Sequence, residues 1–329
     1  MIAKYKREIQ DMEATPGMKI EKPVNNSFKK EIIKNKYLYL LTLPAIIFYL
    51  VFAYLPMVGG FIIPFKDFMP SKGILRSPFV GFQNFSFFLS SDDWVRVTAN
   101  TLFLNLLFVS IGLFTQIAIS IMLSEIASKY FKKLAQTFML FPFFISWTVV
   151  SMMALALFST NEGFINIVLK SFGGAPVSFY QEPGIWPILL VLFKSWKSLG
   201  YGTVVYLANI AGIDQELYEA ARIDGANRFQ MIFGITLPML VNTTVLLFIM
   251  AIGSIFYGDF GMIYALVGDN ALLFPTTDII DTFVFRTLRF NSDFGMAAAV
   301  GLLQSVMGFV MVLGSNLLIR RVRKEAALF

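Results

Sequence analysis

Lys194 and Lys197 stand three residues apart in the middle of an apolar run, Trp186 to Ile210. A lysine at the centre of a membrane-crossing helix costs about 2.5–3.5 kcal/mol, and residues three apart share a helix face. The pair is therefore expected to face a wet cavity, where two ammonium groups would attract an acidic solute. The plainer alternative is that the run starts later or breaks at Gly200 and Gly202, leaving the lysines at an interface or paired with a carboxylate. Sugars bind by stacking on aromatic faces while polar groups fix their hydroxyls. Trp147, Trp196, Tyr201 and Tyr257 lie in or beside apolar runs and are candidates for that work. Tyr257 is followed by Gly258 and Asp259, where glycine admits a ligand to the backbone and the carboxylate can accept from hydroxyls. Against this stand 36 phenylalanines, which make an aromatic chosen at random more often a packing residue, and Tyr257-Gly258-Asp259 reads equally well as an ordinary helix end.

What the chain lacks narrows the chemistry further. It has no histidine and no cysteine, which removes disulfides, Cys/His metal sites, cysteine nucleophiles and histidine-based triads together. Lys194 and Ser195 are adjacent on a helix and point apart, which argues against a serine–lysine pair. No G-x-x-x-x-G-K-[ST] loop occurs, so the chain cannot cradle nucleotide phosphates in that way, and any ATP chemistry must come from another polypeptide. With 57% hydrophobic and 15% charged residues, the composition is that of an integral membrane protein.

A polar stretch between two apolar runs has a shape of its own. Asp214 can cap a short helix through Ala220 and Ala221. Asp224-Gly225 is a helix stop with Gly225 expected at positive φ, and a second helical segment through Phe229 leads back into the membrane. Glu219 and Arg222 are placed to meet on one face, while Ala220, Ala221 and Ala226 keep the surface thin enough for close approach to a partner. The result is a small rigid knob, with a simple polar turn as the alternative.

The elements that position these residues are six apolar runs of about 20 residues or more: Tyr37 to Ile63, Thr98 to Leu123, Leu134 to Phe158, Trp186 to Ile210, Ile232 to Tyr257 and Met296 to Ile319. Residues 1–36 form a basic tail, 37–319 a six-helix transmembrane domain with its knob at about 214–231, and 320–329 a second tail. The first 36 residues carry nine Lys/Arg and no signal-peptide run, so an uncleaved tail is expected, with Ser27 placed to cap a basic helix. Tails, Ser124–Lys133 loop and knob together hold 18 Lys/Arg, against seven in the opposite loops. The positive-inside rule then makes both termini and the knob cytoplasmic, and the net charge of +6 needs no nucleic-acid partner. The opposite loops, Pro64 to Val97, Ser159 to Ile185 and Gly258 to Gly295, are long for connectors; Asp278, Asp281, Arg286 and Arg289 are candidates there for charged contacts with another protein, or are solvated surface.

Glu219, Ala220, Ala221, Asp224, Gly225 and Ala226, with Phe233, Ile235, Leu237 and Pro238, resemble the E-A-A-x-x-D-G-A signature of permease subunits in binding-protein-dependent ABC importers. Shorter matches run along the whole chain in the family's order: Leu43-Pro44-Ala45, Pro64 to Phe68, Lys72-Gly73-Ile74, Pro78 to Gly81, Asn100-Thr101-Leu102, Phe144 to Trp147, Tyr206-Leu207-Ala208, Asp278 to Thr282 and Ala299 to Leu302. The chain is similar to MalF-like type I importer permeases, and most similar to the LplB-like branch that carries polysaccharide fragments. One departure is Asn242, where relatives usually have a second proline four residues after Pro238; it is expected to straighten the start of the fifth span.

The resemblance implies an all-α permease in a bacterial cell membrane, paired with a second, usually non-identical permease. Two ATPase subunits, which carry the ATP and Mg, would bind at the knob, and an extracellular or periplasmic solute-binding protein would deliver an oligosaccharide from the other side. It implies no catalytic residue and no cofactor on this chain. ATPase coupling would fall to Glu219, Ala220, Ala221, Asp224, Gly225, Ala226, Phe229, Leu237 and Pro238, and the expected substrate is an oligosaccharide, acidic by the lysine argument or else neutral or smaller. A secondary transporter is the rival, but it should show a coupling-ion site and inverted repeats within one chain, and neither is visible.

Overall fold

The computed structural model describes residues 34–91 and 93–322; Ser27, the rest of the tail to residue 33 and residues 323–329 lie outside them. The chain divides into two units, residues 1–58 and 59–329. In the first, helix α1 (Lys36–Tyr49) runs into a π-helical turn, Leu50–Tyr54, and then into α2 (Leu55–Ile62). The wide turn has a local cause: Pro56 lacks an N–H and its ring crowds the carbonyl four residues back, and one i→i+5 turn accommodates both.

In the second unit a 3-10 turn, Ile63–Phe65, leads to α3 (Gln83–Leu89) and the 32-residue α4 (Asp93–Ser124). Asp93 favours the positive end of that helix and pairs with Arg96 at 2.7 Å, which starts α4 five residues before the expected span. After Ser128, whose hydroxyl caps it, comes α5 (Lys129–Leu140), then a 3-10 turn, Phe141–Phe144, and α6 (Trp147–Phe158). Helix α7 (Phe164–Ser171) leads to α8 (Trp186–Ala211), α9 (Gln215–Ile223) and α10 (Leu237–Gly253). The chain ends in α11 (Phe260–Val267), α12 (Ile280–Asn291) and α13 (Phe294–Val322). Among the described residues no strand forms; one antiparallel bridge joins Lys66 and Phe79. The architecture is an all-α polytopic membrane fold.

Among the described residues, five helical stretches are long and apolar enough to cross a membrane: Lys36–Phe65, Asp93–Ser124, Pro183–Ala211, Arg228–Gly253 and Phe294–Arg321. The run Leu134 to Phe158, expected as one span, consists of two helices bent by 97° between Phe144 and Trp147, which together make a sixth, broken span. Pro142 ends the first, Ile145 and Ser146 are extended, and the Ser146 hydroxyl accepts from Val149 N–H to start the second. The fifth span also departs from expectation. It stops at Gly253, short of Tyr257, and unwinds before Asp259 caps α11. At its other end a π-helical turn, Ile232–Thr236, precedes Leu237-Pro238 as the earlier one precedes Leu55-Pro56. Beyond Pro238 the helix is continuous through Asn242, as the missing second proline leads one to expect.

Nor does α8 break at its glycines. A Cβ on Gly200 would lie 2.1 Å from the Met139 carbonyl oxygen, and one on Gly202 2.0 Å from the Gln116 side chain. Both glycines are points of close approach, the first to the bent pair α5/α6 and the second to α4. The main core sits at the end of the unit away from Glu219, where Leu104 and Phe108 of α4, Val150 and Ala154 of α6, Trp186 and Leu190 of α8 and Met262 and Leu266 of α11 are buried together.

Candidate functional site

The break between α10 and α11 is where side chains gather. Residues 254–258 leave the helix, so their backbone groups need partners that are not water. Asn105 of α4 donates to the carbonyls of Ile255 (2.7 Å) and Tyr257 (3.0 Å), and Gln304 of α13 donates to that of Phe256 (2.8 Å). Gly258 N–H donates to Asp281 of α12 at 2.7 Å, and the Tyr257 hydroxyl meets Ser305 at 2.6 Å. A Cβ on Gly258 would lie 2.1 Å from Ile279 Cδ1, so a side chain here would require that of Ile279 to move. Burial pushes the Asp281 carboxyl above its ordinary value, against the opposing pull of the Gly258 N–H.

A cavity of about 450 Å³ opens beside this segment, lined by Asn105, Phe108, Val109, Lys194, Ala251, Ser254, Tyr257, Gly258, Asp259 and Phe260. Lys194 reaches across it to Asp259 Oδ2 at 2.6 Å, while Asp259 Oδ1 accepts from Met262 N–H at 3.0 Å and so caps α11. Three of the residues singled out from the sequence, Lys194, Tyr257 and Asp259, thus meet in one wall. The lysine is paired with a carboxylate, as the plainer sequence reading allowed, and it also faces a cavity. Asn105 and Ser254 were not singled out. An amide inside an apolar run carries the same signal as a charge there, and Asn105 was legible by it.

The other candidates lie elsewhere. Lys197 donates to the carbonyls of Phe143 (2.8 Å), Pro142 (3.3 Å) and Ile145, with its ammonium 5.3 Å from the Trp147 ring centroid. These carbonyls lie at the bend between α5 and α6, where that of Pro142 also accepts from Ile145 N–H at 3.2 Å, so Lys197 is a cap for that bend. Tyr201 stacks on Phe143 with ring centroids 5.2 Å apart, Trp147 opens α6 and packs against the main core, and Trp196 is partly exposed away from the cavity lining.

At the opposite end the knob has the local shape its residues suggest. Asp214 accepts from Glu216 N–H at 3.0 Å, and Gly225 has φ +81°. Ala226 N–H bonds to the Ala221 carbonyl at 2.9 Å and Gly225 N–H to that of Arg222 at 3.1 Å, the paired bonds of a Schellman stop. Asn227 and Gln230 then cap the next turn reciprocally. Glu219 and Arg222 form no ion pair; Arg228 reaches Glu125 instead, at 3.7 Å. The Tyr218 hydroxyl meets Thr236 at 2.9 Å, tying α9 to the foot of the span that follows. Ile223 is 87% exposed and Phe229 74%, with Glu219, Ala220 and Gly225 exposed between them and Pro238 exposed beyond, while Ala221, Ala226 and Leu237 are half-buried beneath.

Asp278, expected as a possible outward contact, is buried. Arg286 grips it through both nitrogens at 2.9 and 2.7 Å, Thr282 donates at 2.8 Å and Arg96 stands at 3.4 Å. Asp281 is also turned inward, onto Gly258. Arg289 remains near the surface, pairing with Asp269 at 3.3 Å.

Comparison with known proteins places this arrangement. The family model described as "Binding-protein-dependent transport system inner membrane component" matches residues 109–324. Protein LplB of Bacillus subtilis is 34% identical over 91% of this chain and 93% of its own length. The polygalacturonan/rhamnogalacturonan transport system permease protein YteP of the same organism is 34% identical, covering 91% of this chain and 94% of its own. Among solved structures, a chain of a bacterial alginate ABC transporter, crystallised in complex with its alginate pentasaccharide-bound periplasmic protein, superposes with a TM-score of 0.81. It is 32% identical, with 90% of this chain and 98% of that chain covered.

Proposed function

Since the chain belongs to the family of binding-protein-dependent transport system inner membrane components, we propose that it is one permease of an ATP-driven importer for acidic, uronate-containing oligosaccharides. The observation that carries the substrate reading is the 450 Å³ cavity with Lys194 in its wall, ringed by the hydrogen-bonding groups of Asn105, Ser254 and Tyr257. Two relatives support it by what their names say they carry: polygalacturonan/rhamnogalacturonan in one case, alginate in the other.

In this reading the knob is the coupling element. Ile223 and Phe229, apolar and exposed at a polar end, are covered by an ATPase subunit, and Glu219 borders that contact. The Schellman stop at Gly225 and the Tyr218–Thr236 bond pass the ATPase subunit's motion into α10, whose far end is the unwound segment at the cavity. Nucleotide shifts such an equilibrium only by contacting its two states differently. ATP and Mg sit on two partner ATPase subunits, a second, non-identical permease completes the path, and a solute-binding protein delivers cargo from the side opposite the knob. The excess of Lys/Arg at the knob end supports a cytoplasmic position for that end and both termini.

A neutral oligosaccharide is the second reading, favoured by the Lys194–Asp259 pair, which leaves the cavity wall without net charge. ATP hydrolysis by the reconstituted complex, measured with its binding protein and a panel of neutral and uronate oligosaccharides, separates the two. Stimulation by uronates supports the acidic reading, stimulation by neutral sugars alone replaces it, and no stimulation by any sugar removes the carbohydrate assignment.

A further inference from the structure

We propose that Asp259 is an internal stand-in for the substrate's carboxylate: it holds Lys194 while the cavity is empty and yields it to an incoming uronate. The inference rests on the acidic-substrate reading above and adds the residue that moderates the affinity of Lys194 for the acid.

Four observations carry it. Among the described residues Lys194 is the one cation in the cavity lining, and an unpaired ammonium in so apolar a wall is costly; without substrate it therefore needs a resident anion, which Asp259 supplies at 2.6 Å. The two oxygens of Asp259 have separate work. Oδ1 stays bound to Met262 N–H when Oδ2 lets go, so the carboxylate remains anchored as the cap of α11. Both side chains are reachable from the cavity, Lys194 being 33% and Asp259 22% exposed. Finally, Lys197, one turn along, is fully engaged with the bend carbonyls and cannot take over either role.

The consequences follow from exchange. A uronate replaces one carboxylate on Lys194 by another and leaves two carboxylates to one ammonium; the displaced Asp259 keeps Met262 N–H on Oδ1 and, being 22% exposed, turns Oδ2 to the solvent of the cavity. A neutral sugar offers only hydroxyl dipoles and leaves the ion pair in place, so it gains nothing from the lysine. Because Asp259 stays within reach, its return is intramolecular and fast, which keeps the bound state shallow enough for the substrate to leave.

The test uses the whole complex in proteoliposomes, with the same binding protein throughout, and a galacturonate trisaccharide against its methyl ester, a substrate of the same skeleton without the charge. The readout is the ratio of kcat/KM for acid over ester, relative to the wild type. Asp259→Asn, which keeps a helix-capping side chain, is expected to raise that ratio about three- to tenfold, the scale of one partly exposed ion pair, with the gain in KM and a fall in kcat as release slows. Lys194→Gln, which leaves the Asp259 charge facing the acid, is expected to bring the ratio to one or below, and the double variant, with neither charge, to about one. Should Asp259→Asn fail to assemble, Asp259→Ser answers the same question with another capping residue. A ratio that falls or stays level on removing the Asp259 charge overturns the exchange. A wild-type ratio at or below one overturns the acidic-substrate reading itself, and this shows before any substitution is made.

Discussion

Replacing Asp278 by alanine is expected to destabilise the protein by about 3–5 kcal/mol, the cost of stranding one half of a buried ion pair. The figure is built from the surroundings of the carboxylate. Its side chain is inaccessible, and Arg286, 19% exposed, gives it two parallel hydrogen bonds at 2.9 and 2.7 Å. With the carboxylate gone the Arg286 guanidinium retains the face of the Phe274 ring, 4.1 Å away, which offsets only a small part of the loss. Arg96 adds little, because it is more exposed and keeps Asp93 at 2.7 Å. Thr282 loses one acceptor and retains the Ile279 carbonyl at 3.0 Å. Asp278→Leu combined with Arg286→Met should recover most of the stability, since a buried pair replaced by apolar groups of similar size is often neutral. The assay is the free energy of reversible unfolding in mixed detergent micelles, run beside the affinity of the complex for its binding protein. A loss below about 1 kcal/mol, with that affinity weakened instead, would refute the reasoning and return Asp278 to the outward contact that its place in a long loop suggests.

Gly225→Leu puts a side chain on a left-handed residue, costing about 1–2 kcal/mol locally, and should, like Glu219→Lys, leave a complex that hydrolyses ATP without uptake; uptake at the wild-type rate would remove the knob from coupling. Lys197→Met deprives the carbonyls of Phe143 and Ile145 of the ammonium, while that of Pro142 keeps Ile145 N–H, and is expected to cost about 1–3 kcal/mol, read by unfolding, with the preference for acid over ester retained. Asp281 gives a pH signature. Its carboxyl is raised in the folded state, so its contribution to stability is full below the ordinary carboxyl value and is lost as pH rises through the raised one. Acidification should therefore stabilise the wild type more than Asp281→Asn, and equal pH profiles would show that the burial of Asp281 carries no such linkage.

How far the sequence could be read depended on the range of the forces involved. The knob was legible in detail because its caps and its glycine stop act over two to five residues, from Asp214 to Gln230. Spans and their number followed from apolar length, but their continuity did not. Phe141-Pro142-Phe143-Phe144 is as apolar as the helices it separates, so composition is blind to a 97° bend there, and Ile255-Phe256 hides the stop at Gly253 in the same way. The two lysines looked alike in sequence, and only the fold separates them. Lys194 meets a carboxylate 65 positions away, and Lys197 meets carbonyls more than 50 positions away. Pairings of that kind leave no local trace, and the same holds for Arg96 and Asp278, 182 positions apart.

The close approach of Gly200 to Met139 and Leu140 has a mechanical corollary. With no room for a Cβ between the backbones, and with Lys197 bolted to the bend one turn away, α8 and the α5/α6 pair form a stator: a truss that carries Lys194 at a fixed height in the bilayer. In the proposed coupling the moving joint is then the unwound link at residues 254–258, slung on four side-chain tethers from α4, α12 and α13. On the coupling proposed above, a stroke that begins at the knob and runs up α10 ends as a displacement of Asp259 against Lys194, so that the proposed cargo site has one fixed plate and one sliding plate.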